Sequence, residues 1–147
     1  MTIFVENRKA GLDYEILESF EAGIELLGFE VKSLRNHQGS LVGAYITVRG
    51  GEAFVTGMNI PAYQENNTPD SYDPVRVRKI LLSKKQIAEL GKTETGKGLT
   101  IIALSLYNKG RKIKLAIGVV RGKKKFDKRQ TLKKRQSDRD IARGLRD

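Results

Sequence analysis

The chain contains no cysteine and only one histidine among its 147 residues. The lack of cysteine excludes disulfide bonds and thiolate metal ligands, and one histidine cannot build a transition-metal site of the ordinary type. That histidine, His37, stands beside Gln38 and Gly39 in a predicted loop, which favours an exposed side chain over a general base. We therefore expect neither a metal nor a cofactor.

Long apolar runs are also missing from the sequence. No window reaches the apolar length that crosses a bilayer. Residues 1–6 lack the basic region and following apolar stretch of a secretion signal. We expect a cytoplasmic protein with no membrane partner, and the length suits one domain with its own core.

Motifs that carry catalysis are absent as well. The segment Gly96-Lys97-Gly98 lacks the spacing of a phosphate-binding loop, and nothing resembles a nucleophile elbow. Glutamates at 18, 21 and 25 could pair, but two of them fall on the polar face of a predicted strand, which favours solvated side chains. We expect a protein that is not an enzyme. An RNA-processing hydrolase is an alternative that rests on this glutamate cluster alone.

Positive charge, in contrast, is abundant and unevenly distributed. Residues 121–147 contain 12 Lys or Arg and four acidic residues, which gives this segment +8 of the formal net charge of +11. A segment this polar buries too little apolar surface to offset the entropy that it loses on ordering. We therefore predict a basic tail over 122–147 that is disordered in the free protein. A predominantly positive tail binds a polyphosphate partner favourably because counterions are released, which indicates nucleic acid as the partner. A passive solubilising tail is the alternative, and the scattered apolar residues disfavour an anionic membrane.

The first 121 residues read mainly as β-strands. From Tyr14 to Leu26, six of seven even positions are apolar, which predicts a half-buried strand with a bulge or bend at Gly23. Two alternating runs, 44–48 and 52–60, flank Gly50-Gly51 and predict a hairpin. The other strand candidates lie at 75–82, 99–107 and 113–119. About six short strands with tight turns predict a closed barrel or a sandwich within a domain spanning 1–121.

Two short helices are predicted between these strands. Residues 29–35 fit a helix with Val31 and Leu34 facing inward and Lys32 and Arg35 outward. A second helix is predicted at about 84–90, because residues 83–86 have the form of a capping box and a glycine at 91 suits a C-cap. All three prolines fall within 61–74, which predicts a loop.

A family resemblance extends from Asn7 to at least Arg129. Its most specific stretches are Glu30-Val31-Lys32-Ser33-Leu34-Arg35 and Gly122-Lys123-Lys124-Lys125-Phe126-Asp127-Lys128-Arg129. Further matches include Phe20-Glu21-Ala22-Gly23-Ile24 and Asp73-Pro74-Val75-Arg76-Val77-Arg78. With these motifs the chain resembles the SmpB family of SsrA-binding proteins.

The resemblance implies a fold and a set of partners. The fold would be an OB-like closed antiparallel β-barrel with about three short flanking helices and a basic C-terminal tail. The protein would bind the tRNA-like domain of transfer-messenger RNA as a monomer and deliver it to stalled ribosomes for trans-translation. Alanyl-tRNA synthetase and elongation factor Tu would take part indirectly. The tail would probe the empty mRNA channel near the decoding centre and become helical there.

The resemblance also implies functional residues. Those expected to contact RNA are Glu21, Leu81, Ser83 and Lys114, together with the outward cations Lys32 and Arg35. Those of the tail expected to contact the ribosome are Gly122, Lys123, Lys124, Phe126, Asp127, Lys128 and Arg129. Ser83 departs from the family, where Asn or His is common, and can serve as a helix cap. Phe126 replaces the usual Tyr or His, which retains stacking but loses a hydrogen bond.

A second function from another class is a structural ribosomal or translation-factor-like OB protein whose tail threads into rRNA. Selective binding of transfer-messenger RNA over bulk rRNA would distinguish the two functions.

Overall fold

The computed structural model describes residues 2–64, 68–94, 98–122 and 129–136. The chain is mainly β, as predicted. The strands are β1 (Ile3–Glu6), β2 (Tyr14–Ile24), β3 (Tyr45–Arg49), β4 (Glu52–Thr56), β5 (Arg78–Leu81), β6 (Leu99–Lys109) and β7 (Lys112–Gly122). The helices of the described ranges are α1 (Ala10–Asp13), α2 (Gly28–Arg35), α3 (Lys84–Glu94) and α4 (129–136). No helix in these ranges is both long and apolar enough to span a membrane.

The strands pair antiparallel in the order β1-β6-β3-β4-β5-β2-β7, and β7 also pairs with β6. Strands β2 to β7 therefore form a ring of pairings that closes between β7 and β6. Strand β1 lies outside this ring and pairs with β6. The connection between β3 and β6 is the narrowest, with Tyr45 opposite Ile102. Apolar side chains from the strands form the main core cluster, to which α2 adds Leu34 and α3 adds Leu90. A second, smaller cluster contains Ala10, Ile102 and Val120.

The irregularity in β2 differs from the predicted one. Its register against β7 shifts between Ile16 and Glu18, so the bulge lies at Leu17 and not at Gly23. An extra residue reverses which face each side chain takes. Ile16 is consequently 46% exposed, although the simple alternation placed it inside. Gly23 instead lies where β2 pairs with Leu81 of β5 on one edge and with β7 on the other.

The hairpin turn and the N-terminal capping box were predicted correctly. Gly50 and Gly51 both have positive φ, 60° and 74°, as the tight hairpin between β3 and β4 requires. The capping box forms at α3, because the Gln86 backbone N–H donates to Ser83 Oγ at 3.2 Å and Ser83 N–H donates to Gln86 Oε1 at 3.1 Å.

Element boundaries were less accurate. Helix α3 continues through Gly91 to Glu94, so the predicted C-cap at that glycine is wrong. Its last residue accepts a hydrogen bond from the Val48 N–H at 2.8 Å and pairs with Arg49, which ties the final turn to β3. Strand β5 begins at Arg78 and not at residue 75. The short elements β1 and α1 were not predicted.

Helix α2 is attached to the sheet by a buried ionic network. The side chains of Glu30 and Arg78 are fully buried, with Arg78 Nη2 2.6 Å from Glu30 Oε2. Arg76 Nη2 donates to Glu30 Oε1 at 2.5 Å, and the Tyr72 hydroxyl donates to Oε2 at 2.9 Å. The network joins the first turn of α2 to the segment that enters β5, and so fixes the helix over that end of the sheet.

Candidate nucleic-acid interface

A cavity of about 360 Å³ opens where β2 exchanges its pairing partners. It is lined by Gly23, Ile24, Leu26, Val31, Arg35, Leu81, Arg111, Lys112, Ile113 and Lys114. Five of these residues are branched aliphatic and four are cationic. The cavity therefore presents an apolar floor with a positive rim. The predicted contacts Arg35, Leu81 and Lys114 come together here from α2, β5 and β7.

Leu81 is the apolar residue that reaches furthest into solvent at this site, with 49% of its surface exposed. It lies against Gly23, where an added Cβ would stand 3.1 Å from the Leu81 Cβ. A glycine at this position thus leaves room for the leucine beside β2. An exposed leucine between cations is suited to covering the face of a base.

Glu21 forms a hydrogen-bonded cluster beside this cavity. Its Oε2 accepts a bond from the Tyr107 hydroxyl at 2.5 Å, and its Oε1 accepts one from Lys109 Nζ at 3.1 Å. These two bonds, with smaller contributions from the charges of Lys109 and Lys114, hold the pKa of the Glu21 carboxyl below its ordinary value. Burial and the adjacent carboxylate raise the pKa of Tyr107 to about 12. Glu21 therefore remains an ionised acceptor in a fixed position.

Strand register connects the Glu21 cluster to the cavity. Lys114 lies opposite Gly23 of β2 and opposite Tyr107 of β6. Glu21 stands two residues from Gly23, and side chains two apart share one face of a strand. The carboxylate, the lysine and the cavity thus form one continuous surface, on which a donor amine and a phosphate could be bound side by side.

The remaining predicted RNA contacts lie near this surface with different roles. Ser83 is exposed two residues after Leu81, but its hydroxyl accepts the capping bond of α3. Lys32 is exposed on α2 and does not line the cavity. Arg111 and Lys112, which the sequence reasoning missed, do line it. Their proximity depends on the β6–β7 turn facing the end of α2, and no local pattern encodes that arrangement.

The predicted tail residues begin at the opposite end of β7. Gly122 ends the strand and pairs with Tyr14. Eight residues separate it from Lys114, a distance of about 26 Å along an antiparallel strand. Arg129 is the first described residue of α4. The predicted contacts Lys123, Lys124, Phe126, Asp127 and Lys128 lie outside the described residues.

The residues considered for a catalytic or metal site are one histidine after α2 and three glutamates on or next to β2. His37 is exposed, as expected, with Nδ1 3.4 Å from the Phe4 carbonyl oxygen. Of these glutamates, Glu18 and Glu25 are exposed, and Glu21 accepts hydrogen bonds from Tyr107 and Lys109. Among the described residues, no three His, Cys, Asp or Glu side chains are grouped to hold a metal ion.

The chain is similar to known proteins over nearly its whole length. The family model described as "SmpB protein" matches residues 4–147. The SsrA-binding protein of Latilactobacillus sakei is 46% identical over 144 residues, covering 98% of this chain and 92% of the relative. That of Mesoplasma florum is 50% identical over 133 residues, covering 90% and 89%. A solved chain from "tmRNA-SmpB: a journey to the center of the bacterial ribosome" matches with a TM-score of 0.68 and 38% identity, covering 86% of this chain and 92% of that one.

Proposed function

Because the chain belongs to the SmpB protein family, we propose that it binds the tRNA-like domain of transfer-messenger RNA and delivers it to stalled ribosomes for trans-translation. The protein acts as a binding factor and not as an enzyme. The observation that carries the proposal is the meeting of Arg35, Leu81 and Lys114 at one cavity beside Glu21. These residues come from four different elements. The family resemblance indicated Glu21, Leu81 and Lys114 as RNA contacts, and the helical pattern placed Arg35 on the outward face of α2.

Each group at this surface suits a different part of RNA. The Glu21 carboxylate can accept a hydrogen bond from an exocyclic base amine. Lys114 can bind a phosphate, and Leu81 can cover a base face. A surface of this kind reads an unpaired or irregular RNA segment better than a regular duplex, whose bases are stacked. The bent, loop-rich shape of a tRNA-like domain provides such segments.

The ring of strands supports a more specific fold. We propose that β2 to β7 form an OB-like closed antiparallel barrel, since their pairings return from β7 to β6. The domain would span 1–121, with the tail of 122–147 leaving from the end of β7. RNA-binding OB folds present a strand face and adjoining loops to the ligand, and the surface at Glu21 and Leu81 has that character.

The two ends of β7 lead to surfaces with different functions. The cavity end holds the RNA, while the tail enters the empty mRNA channel of the ribosome, near the decoding centre. Alanyl-tRNA synthetase and elongation factor Tu would act on the same RNA, and the protein would be a cytoplasmic monomer. The first test is the RNA that co-purifies with the protein. Enrichment of transfer-messenger RNA over rRNA supports the proposal, and equal recovery of both indicates a structural ribosomal role instead.

Lys114→Ala should weaken binding to the isolated tRNA-like RNA and change its salt dependence. Loss of one phosphate contact lowers the magnitude of the slope of log K against log salt by about one unit. Filter binding over a range of KCl concentrations measures this slope. Lys9→Ala is the matched control, since Lys9 precedes α1 at the opposite end of β7. Equal slopes for the two variants would remove Lys114 from the interface.

Helix α4 should open easily in the free protein and become stable on the ribosome. Six of its eight residues are exposed, and Arg135 reaches the domain through a 3.3 Å bond to the Arg8 carbonyl oxygen. A helix shorter than about 12 residues is marginal in water without more burial. Amide exchange should therefore show little protection over 129–136 in the free protein. Strong protection there without the ribosome would contradict this proposal.

A further inference from the structure

The cavity beside Leu81 differs in the charge of its lining from the cavity against α1 and the cavity beside α4. Its cations Arg35, Arg111, Lys112 and Lys114 are joined by no acidic lining residue among those described. The cavity against α1 contains Asp13 beside Lys9, and the one beside α4 contains Glu6. The positive potential at the cavity of Leu81 is therefore the least neutralised of the three.

The cations contributed by the β6–β7 turn are available for a ligand. Arg111 and Lys112 are both exposed, and neither forms an ion pair with an acidic residue in the described ranges. Gly110, with a φ of 62°, and Arg111 form the two-residue turn between β6 and β7, and Lys112 begins β7 directly after it. On the other side, Arg35 ends α2 and is likewise exposed without an ionic partner in those ranges. Two guanidinium groups thus border the cavity from separate elements.

The floor between these groups is apolar. Leu26, Val31 and Ile113 are partly buried and line it together with the exposed Leu81. A volume of about 360 Å³ is at the low end for small-ligand pockets. It fits one splayed nucleotide and excludes a duplex segment. An anionic ligand without an apolar part would leave this floor uncovered.

The geometry points to a receptor for a single unstacked nucleotide of the bound RNA, with the base on the Leu81 floor and its phosphate between Arg35 and Arg111. This inference rests on the proposed function and adds residues and a binding mode to it. Arg111 is the residue to test, because it is not among the RNA contacts of the proposed function. Its guanidinium can bind a phosphate bidentately. Lys112 adds a second positive charge on the same rim.

The first test compares Arg111→Gln with Lys9→Gln in the full chain, using the isolated tRNA-like domain of transfer-messenger RNA. Both variants lose one positive charge, so general electrostatic losses are matched. Arg111→Gln should weaken binding about tenfold or more, as expected for a lost charge-assisted bond, while Lys9→Gln should change it little. Equal affinities for the two variants would overturn the inference. Failure of the unaltered chain to prefer this RNA over rRNA would instead overturn the proposed function.

The second test locates the nucleotide. Because the chain has no cysteine, Leu81→Cys and Arg111→Cys each create one site for a photo-crosslinker. Crosslinks from both variants should converge on one nucleotide or its immediate neighbours, and that nucleotide should show altered chemical reactivity on binding. Crosslinks to distant parts of the RNA, or to paired nucleotides of a helix, would overturn the single-nucleotide receptor even if Arg111 affects affinity.

Discussion

A chain that ends at Gly122 should still bind the isolated tRNA-like RNA, while peptide tagging of stalled chains should collapse. The truncation retains every residue of the surface at Glu21, Leu81 and Lys114, and Lys114 lies about 26 Å along β7 from Gly122. It removes 11 of the 28 basic residues and four of the 17 acidic ones, so a modest electrostatic loss of affinity is expected. Under the proposed function the tail reports the empty mRNA channel when the A site holds no codon, so loss of the tail should abolish tagging.

The measurement places RNA affinity beside tagging on ribosomes stalled without a codon in the A site. A triple change of Asp127→Ala, Lys128→Ala and Arg129→Ala should reproduce the truncation with less loss of charge. Phe126→Ala should reduce tagging more than Phe126→Tyr, since only the first removes a stacking face. Equal tagging by full-length and truncated chains would overturn this division of labour. A parallel loss of affinity and tagging would make the tail part of the RNA-binding surface.

The features that sequence predicted well are those that short segments determine. The Gly50-Gly51 hairpin requires positive φ at adjacent residues, and the capping box at Ser83 uses groups three residues apart. Such interactions form within one turn and are encoded where they occur.

The features that sequence missed depend on contacts between distant segments. The bulge at Leu17 shifts the face of the β2 residues that precede it, such as Ile16, and only the register against β7 reveals it. Helix α3 passes Gly91 because Glu94 binds β3. The rim residue Arg111 lies 76 positions after Arg35 in the sequence, yet both line one cavity. The family resemblance indicated Glu21 without giving the hydrogen bonds from Tyr107 and Lys109 that hold it.

The buried pair of Glu30 and Arg78 is the clearest case of this kind. Charged residues within an apolar pattern normally indicate the solvent side, yet both side chains are fully buried. Burial raises the pKa of the Glu30 carboxyl, but bonds from Arg76, the Leu27 N–H and Arg78 outweigh it, and the net shift is downward. The glutamate is therefore ionised and paired inside the protein.

Arg78→Met should lower the free energy of unfolding by about 3–5 kcal/mol, because it leaves a buried carboxylate without its fully buried cationic partner. It also removes the donors that serve the carbonyl oxygens of Met58 and Pro74. Urea unfolding followed by circular dichroism measures the loss. Lys79→Met is the matched control in the same strand, since Lys79 pairs with a half-exposed Glu52 and should cost no more than about 1 kcal/mol. Similar losses for both variants would show that the buried pair contributes no special stability.

The same network should determine part of the acid sensitivity. A carboxyl whose pKa is lower in the folded state contributes stability that is complete above its unfolded pKa, about 4.3 for glutamate. That contribution is lost as the pH falls through the folded pKa, because the unfolded chain then binds the proton more readily. Glu30→Gln should therefore be less stable at neutral pH and should lose less additional stability below about pH 4. Glu21 and Glu94 shift in the same direction and remain in both proteins, so the difference between the two pH profiles isolates Glu30. Parallel profiles down to pH 2 would mean that another carboxylate controls acid unfolding.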